Sequence, residues 1–307
     1  MTGNRPSTPL FATINVTGVC NLKCAYCFFQ PRLEKHMAST DFRRIVNELV
    51  EDRLFFINIS GGEPFAHPEI EDLLAYAHER FEQVVTLTNG TLLKPKHCAA
   101  IEKIIARKGG FPIQISLDAI DSDVNARTRS ASDKILTNIE KLSAMGANLV
   151  VAIVITQRNA DTVLGTIRTL SDHVKHFHIM EVQSVNALCG SDADLALPQG
   201  RIEELWNGIS ALRDELGLYI EIPTDCTEAP TGSAYGAACM AGFTQVVIDP
   251  DLKVRPCDRC VVTHIGDLNE TSLEDVWNGA AVRKVLKSDL VYCQVEKMAM
   301  DKSACGA

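Results

Sequence analysis

The chain has 307 residues, 46% of them hydrophobic and 22% charged, a balance that suits one globular domain or a domain with an appendage and excludes disorder, collagen and coiled coil. Its 30 Lys and Arg against 39 Asp and Glu give a net charge of −9, the wrong sign for a phosphate-backbone binder, so no nucleic-acid partner is expected. The longest unbroken apolar run, residues 149–155, is far short of the roughly 20 residues that cross a bilayer, and residues 1–9 carry no charged-then-apolar export segment, so a cytoplasmic protein without a membrane span is expected.

In chain order, strands are predicted over residues 10–16, 55–60, 83–88, 112–117, 148–155 and 177–183. Between and after them, helices are predicted over 40–52, 68–82, 95–108, 132–145, 159–172 and 198–216, several behind a Thr, Ser or Pro start signal. Strict alternation of strand and helix means a parallel sheet, either doubly wound or rolled into a barrel or partial barrel. The composition changes after Gly217: residues 219–222 read as a strand, 223–241 as loop, 245–249 and 253–255 as a hairpin, and 272–287 as a helix. The expected organisation is a tail over residues 1–9, an α/β domain over 10–218 and a small domain over 219–307.

Eleven cysteines in a reducing compartment point to metal or redox chemistry rather than a disulfide framework. Cys20, Cys24 and Cys27 lie near the start, Cys239, Cys257, Cys260, Cys293 and Cys305 near the end, and Cys98, Cys189 and Cys226 between. Two separate metal sites follow from that spacing. The first three cysteines directly follow the first predicted strand. Three thiolates so close in sequence suit three corners of a cubane iron–sulfur cluster and leave the fourth iron open for a substrate. A closed structural zinc site, the alternative, normally takes four protein ligands, and the nearest histidine, His36, lies outside the loop.

The C-x3-C-x2-C pattern of Cys20, Cys24 and Cys27, with aromatic Tyr26 before the last cysteine, resembles the radical S-adenosylmethionine (radical SAM) superfamily. In that family the open iron chelates the amino and carboxyl groups of the methionine moiety of SAM. Gly61-Gly62-Glu63-Pro64 after the second strand matches the family's GGEP segment, whose glycines permit close backbone approach and whose Glu offers an acceptor to the methionine ammonium. Thr88-Asn89-Gly90 resembles the TNG turn. Ser116-Leu117-Asp118 resembles the SLD segment, whose polar side chains face the cofactor's ribose and methionine portions. Arg129 falls where relatives carry an arginine that pairs with the SAM carboxylate, a role suited to a planar guanidinium. Asn125-Ala126 replaces the family's His-Asp and Ser130 replaces a Gly, so Arg127 competes with Arg129 for that contact. All these segments end predicted parallel strands, the face on which barrel enzymes build active sites.

Towards the C-terminus, Cys239, Gly242, the hairpin and Pro256-Cys257 resemble the start of the auxiliary-cluster domain called SPASM, or its shorter twitch form. The implied architecture is a partial (β/α)6 TIM-like barrel with a small twitch/SPASM-like domain. The full SPASM pattern needs a second run of four cysteines, and Glu296 and Lys302 sit near two of its positions. One auxiliary 4Fe-4S cluster on Cys239, Cys257, Cys293 and Cys305 is therefore expected, making two clusters in all, with Cys260 a competing ligand and a zinc ribbon the alternative.

What the resemblance implies is an oxidoreductase or epimerase that reductively cleaves SAM and abstracts hydrogen from an unactivated C–H bond of a peptide residue, giving oxidation, cross-linking or epimerisation. An aminoglycoside or sugar substrate is the alternative; an iron–sulfur electron-transfer protein is the alternative of another class. The first strand begins near residue 10, so no N-terminal peptide-recognition domain is expected, which weakens the peptide reading. Negative charge favours a cationic substrate by steering, and a flavodoxin or ferredoxin is the implied reductant. Cys226, a thiol in a polar loop, is a candidate hydrogen donor for epimerisation, with Cys189 a weaker one; Cys98 reads as packing. His173, His176 and His178 read as structural or surface residues, whereas His36, Glu181 and Gln183 are placed near the catalytic rim as candidate substrate contacts.

Overall fold

The computed structural model describes residues 5–27, 29, 33–182, 195–221, 241–258, 260 and 264–287. In chain order the elements are β1 (Phe11–Thr17), α1 (Ser39–Glu51), β2 (Phe56–Gly61), α2 (Ile70–Arg80), β3 (Val84–Thr88), α3 (Pro95–Lys108), β4 (Pro112–Ser116), α4 (Ser122–Ala126) and α5 (Asp133–Ala144). They continue with β5 (Asn148–Ile155), α6 (Val163–Leu170), β6 (His176–Glu181), α7 (Gln199–Leu216), β7 (Tyr219–Glu221), β8 (Gln245–Ile248), β9 (Lys253–Arg255), β10 (Gly266–Asp267), α8 (Leu273–Asn278) and α9 (Ala280–Lys287). None of the described helices is long and apolar enough to cross a membrane.

The described residues form two compact units, one drawn from residues 1–21, 28–86 and 224–307, the other from 22–27 and 87–223. In the first, β1 is central. It pairs in parallel with β2, Phe11 opposite Phe56, and on its other edge with β8, Phe11 opposite Gln245. Parallel pairing continues from β2 to β3, while β8, β9 and β10 meander antiparallel. With neighbours on both edges, Ala12, Ile14 and Val16 are fully buried, as expected of a strand covered on its faces. Helix α1 buries Phe42, Ile45, Val46 and Leu49, spaced as one helical face.

In the second unit β4, β5, β6 and β7 are all parallel, with Pro112 opposite Asn148, Val150 opposite His176 and His176 opposite Tyr219. Val151, Ile153 and Ile155 of β5 are buried. The expected alternation of strand and helix holds throughout. Two expected helices differ in detail. Residues 159–172 begin as the 3-10 turn Ala160–Thr162 before α6. Residues 272–287 are two helices, because Gly279 is extended (φ −73°, ψ 169°) and a Cβ there would lie 2.9 Å from the Asp275 carbonyl oxygen. Ser272 caps α8 by accepting from the Asp275 amide. Helix α4 went unpredicted; five residues carry too little periodicity, although Asp121 caps it by accepting from the Val124 amide.

Candidate functional site

In the first unit, the end of β1 is closed by glycine-only contacts. The Gly18 amide donates to the Lys35 carbonyl at 2.9 Å, and the Met37 amide to the Val16 carbonyl at 2.8 Å. Thr17 Oγ1 and His36 Nδ1 lie 2.8 Å apart. Residues 35–37 thus return to β1 and close the neck of the loop that carries the cysteines. A Cβ on Gly18 would sit 1.7 Å from the Leu33 carbonyl oxygen, so no larger residue fits.

The turn after β2 packs on the same backbone. The Gly62 amide donates to the Thr17 carbonyl at 2.7 Å and the Glu63 amide to the Val19 carbonyl at 2.9 Å. Gly61 has φ +138°, and a Cβ would meet the Thr17 oxygen at 2.2 Å; on Gly62 it would meet the Val19 oxygen at 2.4 Å. The GGEP glycines therefore let β2's end lie directly against the approach to Cys20. Glu63 is fully buried, and its Oε1 accepts from the Phe65 amide at 3.1 Å, capping a 3-10 turn.

In the second unit, Cys24 and Cys27 are partly exposed and joined by a turn, the Cys27 amide donating to the Cys24 carbonyl at 3.1 Å. Tyr26 between them is buried. Its hydroxyl donates to Asp118 Oδ2 at 2.6 Å and accepts from Arg129 Nη1 at 2.7 Å. Asp118 is fully buried and also accepts from Thr128 Oγ1 at 2.7 Å and from the Val154 amide at 3.1 Å. The Ala25 amide donates to the Thr128 carbonyl at 2.8 Å, tying the cysteine loop to the same turn.

Burial foremost, reinforced by the charges of Asp118 and Cys24 against the opposing charge of Arg129, holds the Tyr26 phenol well above its ordinary range. Burial opposes the Arg129 charge, but Tyr26, Asp118 and Cys24 outweigh it and keep the guanidinium protonated. The Arg129 side chain is only 10% exposed, and its buried Nε has no hydrogen-bond partner among the described residues. Arg127, by contrast, is exposed. Of the two arginines, Arg129 is the one that combines a nearly covered side chain with an open donor.

Asn89 is buried, and its Oδ1 accepts from the Thr91 amide at 2.9 Å in a tight turn; the Gly90 carbonyl accepts from Asn138 Nδ2 at 2.7 Å. Ser116 ends β4 and is half-buried. Asn125 caps the loop after β4: its Oδ1 accepts from the amides of Asp118 and Ala119 at 2.9 and 3.1 Å. The residue that departs from the family's His-Asp pattern is thus what shapes the Asp118 turn. The family resemblance marks Asp118 as a cofactor contact; its carboxylate accepts from Tyr26, Thr128 and the Val154 amide.

Cys257 is partly exposed and Cys260 buried, the Cys260 amide donating to the Cys257 carbonyl at 3.2 Å. Cys239, Cys293, Cys305, Cys226, Cys189 and Gln183 lie outside the described residues. Cys98 is buried on α3. His176 meets Tyr219 edge-on at 4.5 Å, and His178 Nδ1 lies 3.2 Å from Gln114 Oε1. Glu181 accepts from Trp206 Nε1 at 2.7 Å. No three His, Cys, Asp or Glu side chains among the described residues converge as a single-ion site. Three cysteines in one loop fit three corners of a cubane iron–sulfur cluster; in the first unit the glycine contacts close the neck of that loop, and in the second the Arg129 guanidinium keeps one donor open.

The sequence matches the Radical SAM superfamily over residues 14–170, just over half the chain, and an iron-sulfur cluster-binding domain, SPASM, over residues 239–305. The antilisterial bacteriocin subtilosin biosynthesis protein AlbA of Bacillus subtilis (strain 168) is 27% identical over 284 residues, 90% of this chain and 61% of AlbA. The mycofactocin maturase MftC of Mycolicibacterium smegmatis is 29% identical over 306 residues, covering 91% of this chain and 72% of MftC. The chain therefore spans about three fifths to three quarters of the length of these curated relatives. Among solved structures, Streptococcus suis SuiB bound to precursor peptide SuiA superposes with a TM-score of 0.79 at 19% identity, over 92% of this chain and 67% of SuiB. SuiB has also been solved bound to S-adenosylmethionine. On the residues matched and the fold they adopt, the chain belongs to the radical SAM superfamily and carries a C-terminal SPASM iron–sulfur domain.

Proposed function

We propose that the chain is a peptide-modifying radical SAM enzyme, in which Cys20, Cys24 and Cys27 hold the SAM-binding 4Fe-4S cluster. The observation that carries the reading is the buried Arg129 with an open Nε in the unit that holds Cys24 and Cys27. When bound and reduced, the cluster and SAM would supply a 5′-deoxyadenosyl radical able to take hydrogen from an unactivated C–H bond. Gly61 and Gly62 bring backbone close to the methionine moiety, Glu63 receives its ammonium, and Arg129 pairs with its carboxylate. Asn89 and Ser116, at the ends of β3 and β4, line the remainder of the cofactor.

Cys239, Cys257, Cys293 and Cys305 hold one auxiliary cluster, with Cys260 competing for a place. Residues 219–307 form the domain that carries it, after a barrel over residues 10–218. Cys226 is the candidate hydrogen donor if the outcome is epimerisation. A peptide substrate is supported by the relatives: SuiB is solved with its precursor peptide and MftC is a maturase. The reductant is a flavodoxin- or ferredoxin-type protein, and the setting is the cytoplasm.

The test uses the full chain, reconstituted anaerobically and reduced, incubated with SAM and either short precursor-type peptides or aminoglycosides. Formation of 5′-deoxyadenosine together with a mass change in a peptide supports the reading. A mass change confined to the aminoglycosides contradicts it.

A further inference from the structure

The Tyr26 hydroxyl has a role that ring packing does not need. Its proton direction is fixed by its neighbours. A carboxylate without a proton only accepts and a guanidinium only donates, so Tyr26 must donate to Asp118 and accept from Arg129. Among the described residues, that phenol oxygen is the only hydrogen-bond partner of the Arg129 guanidinium. Arg129 Nη1 lies 3.9 Å from Asp118 Oδ1, beyond hydrogen-bond range. Two fully complementary groups are thus kept apart by one hydroxyl, although a direct fork between arginine and carboxylate is the stronger arrangement.

We infer that Tyr26 is a positioning residue, a spacer that holds Arg129 near Asp118 without letting the pair close, and so keeps the Arg129 Nε open for the SAM carboxylate. The inference rests on the reading of Arg129 given above. Asp118 is anchored from behind by Thr128 Oγ1 and the Val154 amide, so it cannot retreat. With the hydroxyl removed, Arg129 is free to swing onto Asp118, and the protein's own carboxylate competes with that of SAM. Because Tyr26 sits between Cys24 and Cys27, the spacer also ties the arginine's position to the cluster loop.

The test is SAM binding to the reconstituted full chain, read as the change SAM causes in the electron paramagnetic resonance spectrum of the reduced cluster, with iron per chain as the control. Tyr26→Phe should keep wild-type iron and bind SAM about tenfold more weakly. Arg129→Met should lose at least as much, and the double variant no more than Arg129→Met alone, since the hydroxyl acts through the guanidinium. Tyr26→Phe combined with Asp118→Asn removes the competing charge and should regain part of the lost affinity. Wild-type SAM binding by Arg129→Met would overturn the reading of Arg129 itself. A weakened Arg129→Met beside an unaffected Tyr26→Phe, full additivity in the double variant, or loss of iron from Tyr26→Phe would each overturn the spacer alone.

Discussion

Arg255 and Asp249 form a buried two-pronged pair, Nε to Oδ2 at 2.6 Å and Nη2 to Oδ1 at 2.9 Å, in the hairpin that leads into Cys257. Asn15 of β1 donates to the same Asp249 Oδ1 at 2.8 Å, and Arg255 Nη1 donates to the Asp258 carbonyl at 2.9 Å. One ion pair therefore links the central strand to the loop of Cys257 and Cys260. Burial opposes the Arg255 charge, but the hydrogen bonds and charge of Asp249 keep it protonated.

Removing one partner of such a pair leaves the other charged and buried. Arg255→Met should cost about 3–5 kcal/mol of unfolding free energy, and Asn15→Ala, which spares the pair, about 1–3 kcal/mol. Denaturant unfolding of the full chain measures both; an Arg255→Met no less stable than Asn15→Ala would contradict this account of the hairpin.

Gly18 and Gly61 leave no room for a side chain at the neck of the cysteine loop. Gly18→Ala and Gly61→Ala should each displace that neck and cut iron from about eight to about four per chain, the loss of one cubane cluster. Gly165, where an added Cβ meets nothing within 4 Å, supplies the control: Gly165→Ala should keep its iron.

Asp52 follows α1 with a buried Oδ2 that lacks a partner among the described residues. Burial first, then Glu48, Glu274 and Glu51, raise its carboxyl above the ordinary 3.8. A raised acid binds its proton more tightly in the folded than in the unfolded chain, so its burden on stability is complete above the folded pKa and is relieved as pH falls through it. Asp52→Asn should therefore melt at a higher temperature than wild type at pH 7, with the gap shrinking as pH approaches 3.8. A constant gap across that range would refute the assignment.

The auxiliary ligand set makes a sharp distinction between neighbours. On the proposed ligand set, Cys260→Ala should keep about eight irons per chain and Cys257→Ala about four. The reverse pattern would transfer the ligand role to Cys260.

Strand–helix alternation and the ends of β1 to β4 were legible because period and turn chemistry are local. Cys20, Cys24 and Cys27 stood out by their spacing, and Gly61 and Gly62 through the family's GGEP segment. The environment of Asp118 was not: its carboxylate is claimed by Tyr26, Thr128 and Val154, from three stretches whose meeting depends on the register of β4 against β5. Gly18 gave no signal beside the cysteines, since its need comes from the returning residues 33–37. Asn125 stood out only as a departure from the family pattern, and Arg255 only as a charge in a short strand. The cue for both was a polar residue in a position that the fold buries.

The central claim, that the cysteine loop holds a cluster that cleaves SAM, is tested most directly by measuring 5′-deoxyadenosine from SAM with the reduced, reconstituted full chain and its Cys24→Ala variant. The account predicts 5′-deoxyadenosine with about eight irons in the wild-type chain, and no cleavage with about four irons in the variant. Equal cleavage by both, or clusters without any SAM cleavage in the presence of peptide, would contradict it.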